Sequence, residues 1–235
     1  MYNEIKHLDW DSDFFKKKIG CINFKQNDNI NVLLIEAKNK RYQLIYLFGN
    51  KDCYIEDGIL SQYNGHLADR KIIYQKKTQP IISLPFHVFE YKENILTPEL
   101  EQLAYESGNY SRFKLDRNFD DGDFYRMYKI WMEKSVKKQM ADNVFVIKEN
   151  DIIKAMVTMK IDATKGRIGL ISVSAATQGK GYGKALLVAC EQELINKNIT
   201  MLEVPTQIDN KQACGFYEKY GFIMHSITNI YHFWL

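Results

Sequence analysis

The densest chemistry in the chain lies at residues 178–184, QGKGYGK, between the apolar run IGLISV and the helix-like KALLVACEQELINK. Gly179, Gly181 and Gly183 leave bare backbone there, and N–H groups can approach an anion with no Cβ in between. A strand, a glycine-rich turn and a helix aim those N–H groups at one point, with the positive end of the helix dipole behind them. The pattern implies a cradle for an anion, most directly a phosphate. A plain tight turn is the alternative that this stretch alone leaves open. Two phosphate patterns are excluded. Ala185 follows Lys184 and breaks GxxxxGK[ST], and the spacing GxGxG is not the GxGxxG of dinucleotide sites.

A second segment, NKQACGFYEKYGF at 210–222, groups Phe216, Tyr217 and Tyr220, which by themselves read as packed aromatics. Taken together, Gln178, Gly181 and Gly183 in Q/R-x-x-G-x-G/A, and Asn210, Ala213, Phe216, Tyr217, Gly221 and Phe222 in N-x-x-A-x-x-F-Y-x-x-x-G-F, resemble the two signatures of the GCN5-related N-acetyltransferases. The resemblance covers residues 120–235 well and 1–95 poorly. It implies an α+β fold: a mixed, mostly antiparallel central sheet with flanking helices. It implies acetyl-CoA as acyl donor and no metal. The pyrophosphate would rest on Gln178, Gly179, Lys180, Gly181, Tyr182, Gly183 and Lys184. Ser172 and Val173, where one strand splays from the next, would offer N–H groups to the pantetheine arm and the thioester carbonyl. Asn210, Ala213 and Phe216 would contact the donor; Asn210 equally suits a helix N-cap, and the two roles are compatible.

Tyr217 is the expected catalytic residue. A phenol near pKa 10 protonating a thiolate whose acid lies near 8.5 is roughly 2 kcal/mol uphill. A hydrogen bond to the developing thiolate costs less, with the last proton coming from the substrate ammonium. No carboxylate lies in GLISV, so a base there is unavailable. Glu203 on the next strand and a water chain to solvent are the candidates for that role. The five histidines are scattered and take none.

A narrower resemblance is carried by LDWDSDFFKKKIG near the start and by YSRFKLDRNF with FYRMYKIWMEKSV at 110–136. These are similar to the dTDP-fucosamine acetyltransferases. The likeness implies a nucleotide-linked amino sugar as acceptor, a dTDP-4-amino-4,6-dideoxyhexose acetylated at its 4-amino nitrogen, as in cell-surface polysaccharide synthesis. Ser111, Arg112 and Phe113 become candidate acceptor residues. Arg112 could hold a diphosphate in a forked contact or simply be a surface arginine. Trp10, Phe14 and Phe15 could pack at that site or be core. Other readings are kept in view: a non-catalytic acyl-CoA-binding module, and an enzyme acetylating another small amine or a protein amine.

Elements must position these residues, and the chain of 235 residues can build them around a sizeable core. Residues 1–95 read as a small mixed β-α-β-β unit and 96–235 as the acetyltransferase domain. In the first, KIGCINF, YQLIYLF and RKIIYQKK are strand-like, and Ile30, Leu33, Leu34 and Ala37 form one helical face. Thr97, Pro98 and Gly108 punctuate a helix, Gly108 as a left-handed stop. A second helix sets Phe124, Tyr128 and Trp131 on one face. NVFVIKE, DIIKAMVTMKI and GRIGLISV form an antiparallel meander leading into the glycines. Then come TMLEVPT, the Asn210 helix, and a closing hairpin from FIMHSI and IYHFWL. A net charge of +3 with no long basic run argues against nucleic acid. No apolar stretch approaches the roughly 20 residues of a membrane span. No signal peptide is evident, and Cys21, Cys53, Cys190 and Cys214, far apart, read as free thiols in a reducing cytoplasm. A homodimer is the assembly kept in view.

Overall fold

A computed structural model describes residues 4–25, 28–79 and 87–235. Two compact units emerge, one of residues 1–72, 207–209 and 226–235, the other of residues 73–206 and 210–225. The first carries β1 (Lys6–His7), α1 (Asp9–Phe15), β2 (Ile19–Asn23), α2 (Ile30–Asn39), β3 (Leu44–Asn50) and α3 (Asp57–Gln62). It also takes the start of β4 (Gly65–Lys77). The second holds the end of β4, then β5 (Phe89–Glu90), α4 (Pro98–Ser107), α5 (Arg112–Leu115) and α6 (Asp121–Val136). It continues with β6 (Asn143–Glu149), β7 (Ile152–Ile161), β8 (Gly166–Val173), a 3-10 turn (Ala175–Thr177) and α7 (Tyr182–Asn196). β9 (Met201–Gln207) and α8 (Lys211–Lys219) follow, and β10 (Ile223–Trp234) returns the chain to the first unit.

In the first unit β2 and β3 run parallel, from Ile19 opposite Leu44 to Asn23 opposite Phe48, and β10 lies antiparallel on β3. Helix α2 buries Ile30, Leu33, Leu34 and Ala37, the face that the 3.6-residue period predicts. Asn29 caps it by accepting from the Val32 N–H at 3.3 Å. That face meets Ile22, Ile45, Leu47 and Phe233 in one apolar cluster. The segment WDSDFF is a helix, with Phe15 buried, Trp10 exposed, and the Trp10 and Phe14 rings stacked 5.0 Å apart.

The second unit orders its strands β4-β9-β8-β7-β6-β5. β6, β7 and β8 form the expected antiparallel meander, and β9 joins β8 in parallel. Helices α4 and α7 pack on this mixed sheet, and the α+β architecture is the expected one. Thr97 caps α4 by accepting from the Leu100 N–H at 3.4 Å, and Pro98 opens it. Along α6 the Phe124, Tyr128 and Trp131 rings pack in succession, tilted by 40° and 50°, with centroids 4.5 and 4.9 Å apart.

Two sequence expectations change. Gly108 ends α4 at φ −97°, outside the left-handed region. Close packing explains the glycine, since a Cβ there would come within 2.4 Å of the Tyr128 ring. The closing hairpin is instead one strand, β10, from Ile223 to Trp234. Asn229, at the expected turn, stays extended opposite Gly49, and its side-chain amide donates to the carbonyls of Lys51 and Cys53. A long-range partner thus uses the residue that would have turned locally. Among the described residues no helix is long and apolar enough to cross a membrane, and the four cysteines are free thiols.

Candidate active site

Strand β8 pairs with β9 only at its beginning, Gly166 with Leu202 and Arg167 with Glu203. From Ile168 to Val173 it continues on β7 alone. The edge toward β9 is therefore open over those residues, with backbone donors and acceptors left for something else. Which donors face the opening follows from the register. The Ser174 N–H donates to the Lys154 carbonyl at 2.8 Å, toward β7. Alternation by two puts the Ser172 N–H on the same side and turns those of Val173 and Ile171 toward the opening. The Val173 carbonyl agrees, accepting from the Gln178 side chain at 3.4 Å on the open side. Of the expected pair, Val173 faces the opening through its backbone, and Ile171 is the neighbouring donor that the sequence did not single out. A bulge precedes them, where Thr158 Oγ1 accepts from the Leu170 N–H at 2.9 Å and replaces a ladder bond.

Beyond β8 the chain turns tightly. Ser174 and Thr177 pair their hydroxyls at 2.8 Å, and the Thr177 N–H donates to the Ser174 carbonyl at 2.8 Å. Gly179 and Gly181 then adopt φ of +81° and +89°, conformations that L side chains rarely take. Gly181 is the N-cap of α7, and the first helical bond runs from the Ala185 N–H to the Gly181 carbonyl at 3.1 Å. The N–H groups of Gly181, Tyr182, Gly183 and Lys184 precede that bond and point out of the helix end. This is the geometry of an anion cradle, with the helix dipole behind it.

The two signature segments meet. A Cβ on Gly183 would stand 3.0 Å from the Phe216 ring, and the Gln212 side chain donates to that of Gln178 at 3.3 Å. Close approach of α7 and α8 thus explains Gly183. Asn210 caps α8, its Oδ1 accepting from the Ala213 N–H at 3.1 Å. The Lys180 ammonium is held by Glu149 at 2.8 Å, and Lys184 lines a cavity of about 410 Å³ with Lys76, Phe216, Lys219 and Tyr220.

Tyr217 projects from α8 into an aromatic setting of Tyr74, Phe216 and Phe222, its ring centroid 5.3–5.9 Å from theirs. It is 3 % exposed, and burial pushes its hydroxyl well above the ordinary phenol value. Among the described residues its hydroxyl makes no hydrogen bond, yet it is not sealed from solvent. Tyr74, from β4, donates to Glu218 at 2.6 Å and so ties α8 to the sheet. Sequence reasoning did not connect Tyr74 to this site, because the pairing spans 144 residues.

Glu203 has a different fate from the one the sequence left open. Lys165 and Gln75 reach its Oε2 at 2.8 and 3.0 Å, and Arg167 contacts Oε1 at 2.5 Å. Burial works against the charged form, yet these partners outweigh it and hold the carboxyl below its ordinary value. A carboxylate so neutralised is a poor proton acceptor. Ser111, Arg112 and Phe113 sit at α5: Ser111 caps it, accepting from the Phe113 N–H at 3.3 Å, and the Arg112 guanidinium lies 4.4 Å over the Phe113 ring.

Residues 101–222, more than half of the chain, match the acetyltransferase (GNAT) family, and the chain belongs to that family. It is an acetyl-CoA-dependent N-acetyltransferase. No curated protein sequence matches it. Among solved structures, a functionally unknown conserved protein from Staphylococcus epidermidis is similar at TM-score 0.66 and 10% identity, covering 94% of this chain and 86% of that one. A GCN5-related N-acetyltransferase from Sphaerobacter thermophilus is similar at TM-score 0.59 and 13% identity, covering 93% and 73%. A tandem GNAT protein from the clavulanic acid biosynthesis pathway is similar at TM-score 0.54 and 8% identity, covering 91% and 74%. At these identities the likeness is one of fold.

Proposed function

We propose that the enzyme moves acetyl from acetyl-CoA to the amino group of a nucleotide-linked amino sugar, a dTDP-4-amino-4,6-dideoxyhexose acetylated at its 4-amino nitrogen. The observation that carries the reading is the opening of β8 from β9 beside a cradle of helix-end N–H groups. Acetyl-CoA fits that pairing of features. Its pyrophosphate suits the turn from Gln178 to Lys184, and its extended arm can borrow the unpaired edge of β8 as a strand would. Backbone N–H groups of Val173 and Ile171 supply fixed donors for the thioester oxygen as it gains charge. Asn210, Ala213 and Phe216 line the α8 side of the donor site.

Tyr217 stabilises the leaving thiolate by a hydrogen bond. Its raised pKa makes full proton transfer costlier, and the raised value leaves it a neutral donor throughout the working pH range. The substrate amine gives up its proton through water rather than to Glu203, whose carboxylate is already committed to Lys165, Arg167 and Gln75.

The acceptor assignment rests on the segments SRFKLD and WDSDFF. The Arg112 guanidinium lies 4.4 Å over the Phe113 ring, and guanidinium groups meet diphosphates in a forked contact. Residues 1–95 and 96–235 are the proposed accessory and transferase portions, with a homodimer as the proposed assembly. A reducing cytoplasm suits the four free thiols. Assaying CoA release with the dTDP-linked amino sugar, its UDP counterpart, the free amino sugar and a peptide amine tests the acceptor. The nucleotide-linked sugar is expected to react most efficiently. Equal efficiency with the free sugar or the peptide would overturn the acceptor and leave the transferase standing.

A further inference from the structure

The glycine turn already holds an anion of its own. Glu149, the last residue of β6, accepts from the Lys180 ammonium at 2.8 Å, and the Tyr182 hydroxyl donates to the same carboxylate oxygen. The β6–β7 hairpin delivers it: Glu149 pairs with Ile152, and Ala155, three residues on, pairs with Val173 at the end of β8. A carboxylate thus stands against two residues of the very turn whose backbone is shaped for phosphate. The ion pair is open, with side-chain exposures of 50% for Lys180 and 31% for Glu149. Pairs that exposed are worth little and are exchanged cheaply. Hydrogen bonds from Lys180 and then Tyr182 hold Glu149 below the usual carboxylate value, so its charge is present at neutral pH.

We propose that Glu149 is a displaceable internal anion that occupies Lys180 in the free enzyme, yields it to the pyrophosphate of the acyl donor, and hastens the departure of CoA. The inference rests on reading the turn as the pyrophosphate cradle. Donor and product carry the same phosphates, so a cradle of uncompensated positive charge would hold CoA as firmly as acetyl-CoA. Product release limits many enzymes. A fixed carboxylate beside the cradle weakens both complexes, and it stands ready to recapture Lys180 as CoA leaves. Tyr182 keeps the carboxylate at the turn while Lys180 is away.

The probe is CoA itself, titrated calorimetrically into wild type, Glu149→Gln, Glu149→Asp and the double variant Glu149→Gln with Lys180→Met. Stopped-flow displacement gives the matching dissociation rates. Glutamine keeps an acceptor for Tyr182 and deletes only the charge. CoA should then bind on the order of fivefold more tightly at low salt, the size of one like-charge contact about 4 Å apart in a water-like dielectric, as suits a pair this exposed. Dissociation should slow by a similar factor, and the difference should shrink as salt rises. The aspartate variant, still charged, should show no gain, and Lys180→Met should erase the gain of the glutamine variant. Binding that is unchanged or weaker in a folded Glu149→Gln protein overturns the proposal and makes Glu149 a strut for the turn. Gly181→Val runs beside it as a separate control. If that variant binds CoA as wild type does, the cradle reading itself has failed, a result distinct from any change at Glu149.

Discussion

At its start, β8 is tied to β9 by backbone pairing and by charge: Glu203 lies opposite Arg167 and gathers Lys165, Arg167 and Gln75 around a side chain only 2% exposed. At its end the same strand has no partner toward β9, and the next ten residues contain three glycines and a helix N-terminus. One end uses side-chain charge to close the sheet, and the other uses bare backbone to leave it open. The difference shows how one strand can be anchored at one end and open at the other. Pairing ends directly after Arg167, so the clamp marks the point from which the opening begins.

The largest effect expected at the open end is from Tyr217→Phe. On the proposed role of its hydroxyl, which acts as charge develops on sulfur, kcat should fall by ~10²–10³ while KM for acetyl-CoA moves little. Steady-state kinetics decide it. A variant within about twofold of wild type, far inside that range, would return Tyr217 to the aromatic core.

Gly181→Val comes next. At φ +89° a β-branched residue is strained, and the strain falls on the N-cap of α7, next to the outward N–H groups. Acetyl-CoA affinity should drop about a hundredfold, equivalent to ~2.7 kcal/mol, with the far-ultraviolet circular dichroism retained. Undiminished binding in calorimetry would reduce the glycines to a turn.

The clamped end should answer in stability. Glu203→Gln removes the buried negative charge that Lys165 and Arg167 share, with an expected loss of about 1.5–3 kcal/mol in urea unfolding. The carboxyl is held below its ordinary value of 4.5, so its contribution is present above that pH and is lost as pH falls through the folded value. Wild type and variant should therefore converge in stability on acidification. A difference that stays constant as pH falls through the acid range would mean that the charge is not what holds this end.

Local signals carried most of the open end. The meander, the glycine turn and the cap of α8 are each set by neighbours within a few residues, and the alternation and capping rules reach that far. Contacts from distant segments were not legible. Glu149 meets Lys180 across 31 residues, Gln75 meets Glu203 across 128, and Tyr74 meets Glu218 across 144. Likewise β4, read as part of the N-terminal unit, sends its last residues into the second. The one-strand form of β10 escaped for the same reason, because Asn229 answers to Lys51 and Cys53 rather than to its own neighbours. Ser172 and Ile171 could be told apart only once the register with β7 was known.

The smallest effect separates two roles of one residue at the rim of the open end. Asn210 Oδ1 is committed to the Ala213 N–H, and its side-chain NH₂ makes no hydrogen bond among the described residues. Replacing it with alanine removes the cap and should cost about 1 kcal/mol of stability. Serine at 210 can also cap, so Asn210→Ser should recover most of that loss, to within a few tenths of a kcal/mol. What serine cannot do is accept from Ala213 and also present an amide to the acyl donor. If Asn210 contacts the donor, Asn210→Ser should be nearly as stable as wild type and yet bind acetyl-CoA about two- to fivefold more weakly, less than one typical hydrogen bond to a charged group. Thermal unfolding and calorimetric titration on the same two variants give both numbers. If serine restored affinity together with stability, Asn210 would be a cap alone, and α8 would meet the donor only through the residues that the cap holds in place.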